Sequence, residues 1–101
     1  MYQVVKRDGQ VCDFNISKIS VAITKAFEAQ NKQFTPDIID LLALRVTADY
    51  QSKIRDGKVG VEDIQDSVES ILVQAGYADV AKAYILYRKQ REKIRNMKST
   101  I

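Results

Sequence analysis

Lys6 and Arg7, followed by Asn15 and Lys18, bring three cationic side chains and an amide together within thirteen positions. A phosphate is favoured where cationic side chains, loop N–H groups and a helix N-terminus converge, because each stabilises negative charge. This segment offers all three. Successive side chains on a strand point to opposite faces, so Lys6 and Arg7 reach one pocket only where the strand ends or twists. Asp8-Gly9 provides such a break. From pattern alone the same residues more often describe a solvated hairpin turn whose charges blunt an edge strand, and Lys18 an ordinary surface lysine on the first turn of a helix. Neither glycine-rich phosphate-binding pattern, that of the dinucleotide folds or that of the P-loop, occurs in the sequence.

Other chemistry is excluded by what the chain lacks. There is no histidine and a single cysteine, Cys12, in 101 residues. An internal disulfide, a structural zinc site of four Cys or His ligands, and nucleophiles paired with imidazole are all ruled out. Cys12 is expected to be a small packed side chain in a strand. The net charge of +3 is unevenly spread. Residues 88–98 hold six basic residues against Glu92, a local charge of +5, which leaves −2 for the rest. The basic character thus belongs to a C-terminal stretch and does not by itself define a nucleic-acid-binding face.

The elements that must position these residues follow from periodicity and punctuation. Tyr2 to Lys6 and Val11 to Phe14 flank Asp8-Gly9 and predict a β-hairpin closed by a type I′ turn. A first helix is expected from near Ser17 to Gln30, burying Ile16, Ile19, Ile23, Ala26 and Phe27. Thr35-Pro36 marks the start of a second helix reaching about Arg55. Its apolar residues cover more than one face, which predicts a central position in the core. Asp56 to Gly60 reads as a loop with one or two extended residues, and Gly60 as the cap of a third helix. That helix buries Ile64, Val68, Ile71, Leu72 and Ala75 and ends at Gly76. Asp79 opens a fourth, with Val80, Tyr84 and Tyr87 on one side, which runs into the basic stretch. One domain of 101 residues is expected, without a membrane span or secretory leader and hence cytoplasmic. The basic ending at 94–101 reads as a linker or exposed helix end of something larger.

Val5-Lys6-Arg7-Asp8-Gly9, then Phe14-Asn15 and Lys18-Ile19, resembles the opening of the ATP-cone family, the regulatory nucleotide-binding domain found mainly at the N-termini of ribonucleotide reductases. Val59 to Leu72 resembles the family's third helix, and Ala83-Tyr84-Ile85-Leu86-Tyr87-Arg88 its last one, so the resemblance extends over residues 2–93. It implies an α+β, mostly α fold in which a β-hairpin packs on a four-helix bundle, with ATP or dATP, accompanied by Mg2+, bound between them. Lys6 and Arg7 match the family's phosphate-contacting pair, and Asn15 and Lys18 match positions facing the nucleotide. Val61 and Gln65 stand where aerobic relatives often carry threonine and a histidine near the sugar. Arg88 and Lys89 lie near a position that reaches the phosphates.

The resemblance further implies a feedback switch on the overall activity of a reductase, with the wording of the sequence nearest an anaerobic, ribonucleoside-triphosphate type. The partners implied are a catalytic domain following the cone and, through cone contacts, further copies of the chain. The catalytic residues of such an enzyme lie outside this chain, which is expected not to be an enzyme itself. A transcriptional repressor carrying a cone is one alternative, although its zinc-ribbon cysteines are absent from this sequence. A basic helical nucleic-acid-binding module is another, and a purely structural oligomerisation domain is a third.

Overall fold

The hairpin forms with β1 (Gln3–Val5) antiparallel to β2 (Val11–Asp13), Val4 opposite Cys12. The computed structural model describes residues 2–99, with side chains through Ile94. Gly9 N–H donates to Lys6 C=O at 2.9 Å and Lys6 N–H to Gln10 C=O at 2.7 Å. Gly9 is the one turn residue with positive φ, +88°. The connection is therefore a three-residue loop ending in a left-handed glycine, not the expected type I′ turn, which needs positive φ at both central residues. Its consequence is that β1 stops at Val5, and Lys6 and Arg7 escape strict strand alternation.

The other Asp-Gly dipeptide has the φ signature of the type I′ turn. Asp56 and Gly57 take φ of +53° and +71°, and Arg55 and Lys58 exchange hydrogen bonds of 2.8 and 2.9 Å. This reversal brings β3 (Lys58–Gly60) alongside β1 as a parallel third strand, where a loop was expected. Val59 and Val4 pair across it, both buried. A three-residue segment with glycine at its end acquires strand structure only because β1 offers a free edge.

Four helices complete an α+β, mostly α architecture: α1 (Ile16–Ala29), α2 (Pro36–Asp49), α3 (Val61–Gln74) and α4 (Ala78–Ser99). Asn15, not Ser17, caps α1, its side chain accepting from Ser17 N–H. Thr35 caps α2, with Pro36 in the first turn as expected. α3 ends in a glycine-terminated motif in which Tyr77 N–H donates to Leu72 C=O and Gly76 N–H to Val73 C=O. Asn31, with φ +51°, closes α1 in the same way.

The principal helix contacts run α1–α2, α2–α3, α3–α4 and α4–α1, a closed ring in which no helix is central. The second helix accordingly buries only Ile39, Leu42, Ala43 and Val46, while Leu41 and Leu44 face solvent. It also stops at Asp49 rather than near Arg55. Tyr50, fully buried, turns inward there, and a single 3-10 turn at Gln51–Lys53 leads to the Asp56-Gly57 reversal. The Tyr50 hydroxyl hydrogen-bonds that of Tyr2, and Phe14 completes an aromatic cluster with centroid separations of 4.7 to 6.3 Å. Burial pushes the Tyr50 phenol far above its ordinary range, so it is un-ionised. This cluster fastens the hairpin to the end of α2. Among the described residues no helix is long and apolar enough to cross a membrane. The backbone of α4 continues into the basic segment as far as Ser99; residues 100 and 101 of the expected tail lie outside the described residues.

Candidate functional site

Three helices each turn one stripe toward the hairpin. Lys18, Val21, Ala22 and Lys25 of α1, Val61, Ile64, Gln65 and Val68 of α3, and Tyr84, Tyr87, Arg88 and Arg91 of α4 line one cleft. Each set follows the i, i+3, i+4, i+7 spacing that puts side chains on one helix face. The hairpin closes the fourth side with Val4, Lys6, Arg7 and Cys12, and Asn15 stands at the N-terminus of α1. The cleft encloses about 500 Å³, within the range of roughly 300–1,000 Å³ typical of small-molecule sites.

The cleft has an apolar floor and a cationic rim. Val4, Ile19, Ile64 and Val68 are buried beneath it. Lys6, Arg7, Lys18, Lys25, Arg88 and Arg91 line it, against the carboxylates of Asp13 and Glu92. A planar apolar group attached to a multiply charged anion matches both parts. Among the described residues no cluster of three His, Cys, Asp or Glu side chains could hold a metal ion.

Of the residues singled out in the sequence, Lys6, Arg7, Asn15, Lys18, Val61, Gln65 and Arg88 line the cleft together. Lys89 does not; it is exposed one position along α4 from Arg88, on a different face of the helix. Their states differ. The Asn15 carbonyl oxygen is used in capping, accepting from Ser17 N–H at 3.0 Å and Ser17 Oγ at 2.6 Å, which leaves its NH2 group to donate. Arg88 is held by Glu69 at 2.8 Å and Asp66 at 3.3 Å, joining α4 to α3. Burial alone would depress its pKa, but these two carboxylates outweigh burial and raise it. Arg7 reaches Glu92 at 2.7 Å and Glu62 at 3.4 Å. Gln65 presents a buried Oε1 with no hydrogen-bond partner among the described residues. Burial also pushes the Tyr84 phenol up to about 12, against the lowering influence of Arg88, so it lines the cleft as a neutral group.

Lys25, Tyr87 and Arg91 were not singled out from the sequence as site residues. The Lys25 ammonium and the Arg91 guanidinium lie 5.7 and 5.8 Å from the centroid of the Tyr87 ring. Arg91 also donates to the Tyr87 hydroxyl at 3.2 Å. The signal was present: Lys25 lies seven positions after Lys18, and Arg91 three after Arg88, so each repeats the face of a residue already singled out.

Comparison with known proteins agrees with this architecture. Residues 2–93 match the ATP cone domain. The chain is 44% identical over 98 residues to a ribonucleoside-diphosphate reductase subunit alpha of Chlamydia pneumoniae, covering 91% of this chain and 9% of that protein. It is 43% identical over 101 residues to a vitamin B12-dependent ribonucleoside-diphosphate reductase of Thermoplasma acidophilum, covering 95% and 13%. It is 32% identical over 103 residues to an anaerobic ribonucleoside-triphosphate reductase of Haemophilus influenzae, covering 99% and 14%. The chain thus spans about a tenth of the length of the curated relatives it matches. With its profile matched from the hairpin to the basic part of α4, the chain belongs to the ATP cone domain family.

Proposed function

We propose that this chain is an allosteric regulatory domain that binds ATP or dATP, with Mg2+ carried on the phosphates, and sets the overall activity of a ribonucleotide reductase. The observation that carries the reading is the cleft itself: an apolar floor for a base, a cationic rim for phosphates, and two unengaged hydrogen-bonding groups, Gln65 Oε1 and the Asn15 NH2, between the hairpin and three helices. Lys6, Arg7 and Lys18 serve the phosphates, and Gln65 the sugar or base edge. The reductase chemistry belongs to the remainder of a longer protein, since the reductases this chain resembles are many times its length.

ATP and dATP differ by one 2′-hydroxyl. A neutral hydrogen bond contributes about 0.5–1.5 kcal/mol, roughly a two- to tenfold difference in affinity. That is too little to throw a switch through occupancy alone. The two ligands must favour different packings of the domain, and their differential affinity for those states sets the size of the shift.

The nucleic-acid reading loses support from the placement of the basic stretch. Arg88 and Arg91 turn into the cleft, and Arg88 is neutralised by α3 carboxylates. Calorimetric titration of the 101-residue chain with ATP, dATP and GTP plus Mg2+ tests the proposal. Saturable adenine-nucleotide binding, lost in the Lys6→Ala/Arg7→Ala double variant, is expected. A folded chain that binds none of the three, or one whose double variant binds equally well, overturns it.

A further inference from the structure

Among the described residues, Arg7 is the one cation on the hairpin side of the cleft whose charge is already matched. Its Nη1 lies 2.7 Å from Glu92 Oε1 of α4, and its Nη2 lies 3.4 Å from Glu62 Oε1 in the first turn of α3. Both terminal nitrogens of the guanidinium therefore face carboxylates. That planar fork is the geometry in which arginine binds a carboxylate or a phosphate. Lys6 and Lys18, on the same rim, make no ion pair among the described residues. Glu92 itself lines the cleft and, among the described residues, is the only carboxylate that α4 contributes to it.

We infer that Glu92 is an internal stand-in for phosphate: it occupies Arg7 in the free domain, and a bound polyphosphate displaces it, releasing the hairpin from the second half of α4. The inference rests on the anion-binding reading of the cleft and adds to it the residue that couples binding to α4. The geometry makes the exchange accessible. Glu92 is 43% exposed in its side chain and Glu62 61%, so solvent already screens these pairs, whereas a polyphosphate brings several charges to the same guanidinium. A phosphate group on Arg7 and the Glu92 carboxylate are like charges competing for one partner, and they cannot both hold it. Reciprocity then requires that whatever frees Glu92 also favours the nucleotide. The coupling is directed along α4, because Glu92 lies one residue beyond Arg91 and within the last third of the helix.

The test compares Glu92→Gln with Asp13→Asn, which removes the same charge from the same cleft without touching Arg7. Asp13 faces Gln3 at 3.5 Å instead. Affinity for ATP and for inorganic tripolyphosphate is measured calorimetrically in each variant, with and without Arg7→Ala, and amide hydrogen exchange is followed along α4. Glu92→Gln is expected to raise affinity for both ligands by about two- to fivefold, the scale of an exposed ion pair, with most of the gain gone when Arg7 is alanine. Ligand-free Glu92→Gln should also show faster exchange in the second half of α4, as the wild type does when tripolyphosphate is added. Equal gains from Glu92→Gln and Asp13→Asn, independent of Arg7, reduce the effect to through-space charge and overturn the inference. A loss of affinity in Glu92→Gln makes Glu92 a ligand of the nucleotide or its metal and overturns it too. Tripolyphosphate binding without ATP binding overturns the adenine-nucleotide reading alone and leaves the exchange of partners at Arg7 standing.

Discussion

Gln65 holds a buried carbonyl oxygen without a hydrogen-bond partner among the described residues. Leaving an acceptor unsatisfied costs about 1–3 kcal/mol, and natural interiors keep few such groups. Gln65 lines the cleft, so a rotation of its side chain would offer that oxygen to a ligand able to donate, such as a ribose hydroxyl or an exocyclic amine. Stability and binding should therefore respond in opposite directions. Gln65→Met keeps the length and removes the acceptor, and is expected to stabilise the free domain by up to about 1 kcal/mol while lowering ATP affinity roughly two- to tenfold. Thermal unfolding without ligand and calorimetric titration check the two halves; a loss in both would make Gln65 a packing residue. Ser67 offers the contrast. Its hydroxyl is also without a partner, but it is sealed in the core rather than lining the cleft, and no binding role attaches to it.

At the scale of elements, turns decide where these side chains go. The two Asp-Gly dipeptides are identical in sequence and opposite in outcome: Asp8-Gly9 sits in a three-residue loop, and Asp56-Gly57 has positive φ at both residues. Flanking β-formers made the first look like the two-residue turn, and only the pairing of Arg55 with Lys58 identifies the second. Gly57 adopts φ +71° with nothing within 4 Å of an added Cβ, so conformation alone restricts the position. Gly57→Ala is expected to cost about 1–2 kcal/mol, each kcal/mol lowering Tm by roughly 4–8 °C, and Gly57→Asn less, because asparagine tolerates left-handed geometry. Equal losses in thermal melts of the two variants would point to a cause other than φ. The helices were legible because threonine-proline, Gly76 and the apolar stripes act locally. The third strand and the end of α2 were not, since one depends on an edge supplied by residues more than fifty positions away and the other on Tyr50 meeting Tyr2. The site was half legible for the same reason. Lys6, Arg7, Asn15 and Lys18 cluster in sequence, whereas Lys25, Tyr87 and Arg91 join them only through the packing of α1 against α4.

For the whole molecule, the decisive feature is that α4 belongs to two regions at once. Tyr84, Tyr87, Arg88 and Arg91 line the cleft, and the same helix runs on without a break to Ser99. A continuous helix transmits a change in its packing along its axis at 1.5 Å per residue, whereas a flexible segment dissipates it. On the proposed function, such a helix is the route by which nucleotide binding would reach a following domain. That proposed use makes the stiffness of the helix beyond Ile94 matter for regulation. Replacing residues 94–101 by a Gly-Ser segment of equal length, in a reductase that carries this chain at its N-terminus, is expected to leave ATP and dATP binding by the domain within about twofold, since Gly-Ser segments are flexible coils that remove stiffness without adding contacts. Inhibition by dATP in a turnover assay should be lost in the same protein. Retained inhibition with unchanged binding would mean that the signal leaves the domain by another surface, with the solvent-facing Leu41 and Leu44 of α2 the next residues to substitute.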